Sequence, residues 1–174
     1  MDRQVMADQI VVITDTSVLI KFLVIDQVRL MTSIPGRQFM VTDHVRSEVT
    51  EHFPEQLIRL EHALTIGILV EIVVADIAEV QAFARLTATG LGVGECSAIA
   101  VASCRGHAIA LDDKLARKRI ANLYPTLAVL TTESIVIDMI RAGIINVTEA
   151  DAIKADWEAN HRFKLSFSSF ADRV

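Results

Sequence analysis

Short unbroken apolar runs alternate along the chain with longer stretches in which apolar positions recur every three or four residues. The first kind suits a strand covered on both faces, and the second a helix packed on one side. QIVVIT (9–14), RQFMVT (37–42), ILVEIVV (68–74), HAIAL (107–111) and TLAVLT (126–131) are the strand-like runs. Between and after them the pattern predicts helices over 16–25, 43–53, 54–67, 76–90, 91–106, 112–123, 133–142 and 147–163. Local chemistry marks the helix ends. Thr16 or Ser17 opens the first helix, Asp43 or Thr42 the second and Thr148 the last, while Pro54 fits a first turn. Gly67, Gly90, Gly106 and Gly143 stand where helices should stop. Strands alternating with helices predict an α/β fold with a mainly parallel sheet. No linker, repeat or low-complexity tract interrupts it, so one domain is expected over 1–174, with a C-terminal helical extension over about 144–174.

Composition narrows the function. The chain has 174 residues, 52% apolar and 22% charged, which is globular and not disordered. IGILVEIVVADIA is broken by Glu71 and Asp76, and no run reaches the roughly 18 apolar residues of a membrane span. MDRQVMADQ lacks an apolar signal core, so a cytoplasmic protein with no membrane partner is expected. Cys96 and Cys104 fall in an apolar helical pattern and read as reduced core thiols. A net charge of −5 argues against non-specific coating of nucleic acid. It leaves room for a nuclease, because bound divalent cations supply positive charge locally.

The candidate chemistry lies in carboxylates at strand ends. Ligands of open parallel sheets bind outside the carboxyl ends of the strands. Asp15 follows the first strand there, and Asp112 and Asp113 follow the fourth. Glu48 sits in the helix after the second strand, and Glu95 in the first turn of the helix opened by GVG. Each also has a plain structural use: Asp15 and either Asp112 or Asp113 as helix caps, Glu95 at a helix's positive end, Glu48 as a solvated residue. Taken together they would crowd one cleft with like charges, which Mg²⁺ or Mn²⁺ would neutralise. Two such ions about 4 Å apart can activate water and stabilise the leaving oxygen of a phosphodiester.

Read in order, VVITDTSVLI, VTDHVRSEV, LGVGECSAIAVA and IALDDKLARKRIA resemble a PIN domain, the family of metal-dependent nucleases that includes VapC-like toxins. LDDKLAR and the helix leading into RFKLSFSSF resemble a bacterial and archaeal subgroup. The resemblance implies a three-layer α/β/α sandwich with about five parallel strands. It implies Asp15, Glu48, Glu95 and Asp113 as the catalytic acids, with Glu where many relatives have Asp at position 95. Asp15, Glu95 and Asp113 would hold Mg²⁺ or Mn²⁺; Asp112, also a candidate ligand, takes a capping or supporting role. Thr14, Thr16 and Ser17 would place hydroxyls near the first acid. The implied activity is endoribonuclease, on single-stranded or structured RNA, with DNA the lesser alternative. A small antitoxin protein and a second copy of this chain are the partners the family suggests.

Other signals weigh less. Lys114, Arg117 and Lys118 lie on neighbouring turns and either steer RNA phosphates or form a solvated helix face. His44, Glu48 and His52 repeat every four residues, but they span over two turns and make a poor zinc site. His62, His107 and His161 are isolated. GLGVGE lacks the full phosphate-loop pattern and reads as a flexible helix entrance. Trp157, Phe163, Phe167 and Phe170 suggest a helix packed on the core or a partner contact and not an RNA platform. A haloacid-dehalogenase-like phosphatase wants a second Asp where Ser17 stands, and a lysine between Lys21 and Lys114 where none occurs. A non-catalytic partner-binding module with the same fold is the other alternative.

Overall fold

The computed structural model describes residues 9–174. The reading of MDRQVMADQ as free of a signal core lies outside the described residues, except for Gln9. Five strands form: β1 (Ile10–Thr14), β2 (Arg37–Thr42), β3 (Val70–Ile72), β4 (Ala108–Ala110) and β5 (Val129–Leu130). They make one sheet in the order β3-β2-β1-β4-β5, with every neighbouring pair parallel. β3 and β5 are shorter than the apolar runs that contain them. As edge strands, each has a ladder partner on one side only.

The helices are α1 (Thr16–Val24), α2 (Val28–Thr32), α3 (Asp43–His52), α4 (Leu57–Thr65), α5 (Ile77–Thr87), α6 (Val93–Arg105), α7 (Lys114–Leu123), α8 (Thr132–Arg141) and α9 (Val147–Asn160). Side chains of the strands alternate strictly between two cores, as the period of two demands. Val12, Phe39, Val41, Ala108 and Ala110 pack with α1–α4, α8 and α9. Val11, Ile13, Met40, Ile109 and Leu111 pack with α5–α7 on the other face. The result is the three-layer α/β/α sandwich that the resemblance implies, with the parallel sheet that the alternation predicts. α6 is the most deeply set helix. Its small residues Ala98, Ala100 and Ala102 are fully buried and let its backbone approach the sheet closely.

Some local expectations are corrected. α2 has too few apolar repeats to predict, and forms because Val28 and Met31 turn into the core. Asn146, not Thr148, caps α9: it accepts from Glu149 N at 2.9 Å while Glu149 accepts from Asn146 N at 2.8 Å. That reciprocal pair satisfies two end donors where a lone hydroxyl satisfies one. Pro54 opens a separate 3₁₀ turn, Pro54–Gln56, ahead of α4. Cys96 is buried, but Cys104, in the last turn of α6, is exposed. At the C-terminus Trp157 meets Phe22 edge-on at 5.6 Å, and its Nε1–H donates to Lys21 O at 2.7 Å. Phe167 and Phe170 pack together beside it, so these aromatics hold α9 and the tail on the core.

Candidate active site

From β1 the chain moves outward to β2 and β3, and from β4 outward the other way to β5. The switch of direction lies between β1 and β4. The helices that leave these strands, α1 and α7, go to opposite faces of the sheet. A crevice therefore opens at the carboxyl ends of β1 and β4. Asp15 N donates to Ala110 O at 3.0 Å, which fixes Asp15 at the crevice and level with the end of β4.

Asp15 caps a helix and stands at the crevice. Its Oδ2 accepts from Ser17 N at 3.0 Å and starts α1. Its Oδ1 is buried and has no hydrogen-bond partner. Burial, assisted by the nearby Glu48 carboxylate, pushes Asp15 up from 3.8 to about 6, against the bonds from Ser17. Thr14 beside it is also buried with an unpartnered hydroxyl oxygen. A buried carboxylate with one bare oxygen is a costly arrangement for folding alone.

Glu48 reaches the same place from α3. Thr16 Oγ1–H donates to its Oε2 at 2.6 Å, and Gly94 N to its Oε1 at 2.8 Å. The glycine leaves room for it: a Cβ at position 94 would lie 2.5–2.7 Å from the Glu48 carboxylate and displace it. GVG forms the N-cap and first turn of α6, cleared for an acid from another helix. Thr42, which caps α3, donates to Ser97 Oγ at 2.6 Å, because the Ser97 proton is given to Gly94 O at 2.8 Å. These bonds fasten α3 to α6 directly behind the acids.

Glu95, half-buried in the first turn of α6, accepts from Gly92 N at 3.1 Å. Burial first, then the charges of Asp15, Asp113 and Glu48, push it up to about 7. Four carboxylates from four elements therefore share one field. Asp113 is exposed and caps α7, accepting from Ala116 N at 2.7 Å. Asp112 is engaged elsewhere. It pairs with Lys21 and takes hydrogen bonds from Thr132 N, at 2.8 Å, and from Thr132 Oγ1, while its own N–H donates to Ser17 Oγ at 3.1 Å. The capping role assigned from sequence to Asp112 belongs to Asp113. Asp112 is a clamp between α1 and α8.

Lys114 and Arg117 border the crevice beside these acids; Lys114 is exposed, and the Nε of Arg117 is buried without a partner. Thr16 and Ser17 line the mouth but spend their hydrogen bonds on Glu48, Asp15 and Asp112. The histidines do not join: His44 packs on Phe83 at 5.0 Å, and His52 is exposed. Among the described residues, no three His, Cys, Asp or Glu side chains already converge as a metal cage. The acids are instead held apart by the backbone N–H groups and hydroxyls that they accept from. The donor set is still all oxygen, and the bare Oδ1 of Asp15 and the raised Glu95 both fit a hard divalent cation. Lys21, Thr132 and Gly94 escape a reading of the sequence. Only the small-residue pattern GVG signals any of them.

A parallel α/β sandwich with acids from β1, α3, α6 and the β4 end at its switch point defines a class of domain. A family model described as a PIN domain matches residues 11–157, and the chain belongs to that family. The fold is similar to that of a chain in the crystal structure of VapBC2 from Rickettsia felis bound to a DNA fragment from their promoter. The TM-score is 0.51 at 12% identity, covering 70% of this chain and 98% of that one. No curated protein matches the sequence. Among the described residues, no helix is long and apolar enough to cross a membrane.

Proposed function

We propose that this chain is a metal-dependent endoribonuclease that hydrolyses phosphodiester bonds of single-stranded or structured RNA. The observation that carries the reading is the buried, half-partnered Asp15 sharing its field with Glu48, Glu95 and Asp113. Such a cluster destabilises an unliganded fold and is relieved by positive charge. Asp15, Glu95 and Asp113 would hold Mg²⁺ or Mn²⁺, which would supply the charge that polarises the phosphodiester and eases deprotonation of water. Membership of the PIN-domain family supports the same activity.

The chain's own residues account for the rest. The Ser17 N–H holds Asp15 in one orientation, and Thr16 with Gly94 holds Glu48 behind the other acids. Lys21 and Thr132 neutralise Asp112 and keep it from adding repulsion at the mouth. Lys114 and Arg117 attract the phosphate backbone. Water attacks phosphorus in line; the P–O3′ bond breaks, and the 3′ oxygen takes up a proton. No side chain forms a covalent intermediate. A small antitoxin protein is the proposed partner, on the family resemblance and the likeness in fold to a chain of the VapBC2 structure. Self-association is proposed from the exposed apolar side chains Ile58, Ile77, Val80 and Val93. Placement in the cytoplasm and a single domain over 1–174 complete the reading.

Cleavage of a mixed set of single-stranded RNAs in Mg²⁺ or Mn²⁺ tests it, with wild type, Asp15→Asn and EDTA compared. Metal-dependent cutting that Asp15→Asn abolishes is the expected result. No cutting by a folded wild type that also binds no divalent cation would leave a non-catalytic partner-binding module.

A further inference from the structure

Immediately beside the acids lies a cleft of about 550 Å³, within the size range of small-ligand sites. Thr16, Ser17 and Asp113 form the edge it shares with the acids. Its apolar wall is buried Ile20 with half-buried Phe53 and Phe163, and Lys21, Asp112 and Lys114 close its remaining side. Phe163 is set with care. The chain leaves α9 through Arg162 in the left-handed region, at φ 59°, and Phe163 N then donates back to Trp157 O at 3.0 Å. This turn lays the ring over Lys21, whose Nζ stands 5.6 Å from its centroid. Trp157, Phe167 and Phe170 are occupied in holding the tail to the core. Phe163 alone of that group lines the cleft.

A second depression, of about 300 Å³, shares Lys21, Asp112 and Lys114 with the first and continues past them to Arg117, Lys164 and Ser166. Its two acids are already paired, Asp112 with Lys21 and Glu133 with Arg173 at 3.4 Å. Among the described residues Lys114, Arg117 and Lys164 pair with no carboxylate, and the buried Nε of Arg117 has no partner. An apolar, aromatic-walled hollow followed by a cationic one matches the alternation of base and phosphate along a single strand. A duplex would keep its base faces stacked and out of reach.

We infer that the tail segment 163–166 builds a nucleotide subsite next to the acids. An unpaired base of RNA stacks on Phe163 and Phe53, and its neighbouring phosphate lies among Lys114, Arg117 and Lys164. Phe163 and Lys164 fall outside the 11–157 matched by the family model, while Phe53, Lys114 and Arg117 lie within it. The subsite selects single-stranded substrate and sets where the strand crosses the acids. The inference rests on the nuclease reading above.

The test uses the intact chain and a short fluorescein-labelled single-stranded RNA, with an abasic version of the same strand, in Ca²⁺. Affinity is read by fluorescence anisotropy, and thermal melting is followed in parallel. Phe163→Leu keeps apolar packing but removes the ring. It should weaken binding of the intact strand about 5- to 150-fold, the range for one lost base stack, and leave the abasic strand's affinity unchanged. Phe163→Tyr should restore it. Lys164→Ala should lower the slope of log K on log salt by about 0.7 for both strands. A merely structural role for Phe163 would weaken both strands equally and lower the melting temperature, and that result overturns the inference. Equal binding of the intact strand by wild type and Phe163→Leu overturns it too, leaving the cleft to an apolar side chain of a protein partner. If wild type cuts RNA in Mg²⁺ while either of these results is found, only the subsite fails. If wild type neither binds nor cuts RNA, both readings fail.

Discussion

Asp15→Asn should make the metal-free protein more stable at neutral pH while removing its proposed activity. The folded protein raises Asp15 from 3.8 to about 6, so the fold favours the protonated acid. Between those values the native state binds more protons than the unfolded chain, and stability falls as pH rises. At 1.36 kcal/mol per pKa unit, ionised Asp15 costs the fold about 3 kcal/mol above pH 7 and almost nothing below pH 4. Asparagine keeps an oxygen for the Ser17 N–H, offers its amide N–H groups toward the neighbouring carboxylates and carries no charge. In EDTA at pH 8 the variant should therefore melt about 6–12 °C above wild type, given about 2–4 °C per kcal/mol for a chain of this size. The gap should close as pH falls toward 4. Saturating Mg²⁺ should reverse the order by stabilising wild type, about 4.1 kcal/mol at a thousand times its Kd, and not the variant. Differential scanning fluorimetry across pH 4–8, with and without Mg²⁺, reads all three effects. A variant no more stable than wild type at pH 8, or one whose gain is the same at pH 4, would refute the account of Asp15 as a buried charge awaiting a cation.

Gly94→Ala should change the melting temperature by only a few degrees, because about 1 kcal/mol gained in helix propensity offsets the lost hydrogen bond to Glu48. Metal affinity measured by calorimetry, and RNA cutting with it, should fall about 10- to 100-fold as the Glu48 carboxylate is displaced. Arg105→Met should cost about 2 kcal/mol in urea denaturation, since the buried Glu79 loses its bidentate partner. Arg105 holds Glu79 down from 4.5 to about 2, so its stabilisation is present above 4.5 and lost as pH falls toward 2. The variant should lose most of that acid sensitivity. Trp157→Phe removes the bond to Lys21 O and some core volume; about 2 kcal/mol of stability should go, measured by chemical denaturation.

The fold was legible wherever burial on both faces left its mark. VVIT and HAIAL are apolar because the two central strands have helices above and below. The edge strands, with one neighbour each, end before their apolar runs do. Helix ends with a local signal were readable, such as Thr42 before α3. Asn146 also carries a local signal, an acid three residues on at Glu149, and the structure shows that this reciprocal pair, not Thr148, caps α9. Asp15 and the Asp112–Asp113 pair of the candidate site were readable as misfits: a carboxylate ending an apolar strand needs a reason that composition does not supply.

Sequence by itself determined the parallel α/β order and the positions of Asp15, Glu95 and the Asp112–Asp113 pair relative to strand and helix ends, because both follow from periodicity and local capping. Tertiary structure alone decided which acid does what. Asp112 and Asp113 are neighbours of the same type, and they differ only because Lys21 and Thr132, 91 and 20 residues away, close on the first. Gly94 is needed only because Glu48, 46 residues away, requires the space of its missing Cβ. Phe163 becomes a wall of the cleft only when Arg162 turns the chain back over α1. Local pattern fixes what a residue can be. Long-range packing, which sets burial and field, fixes what it is used for.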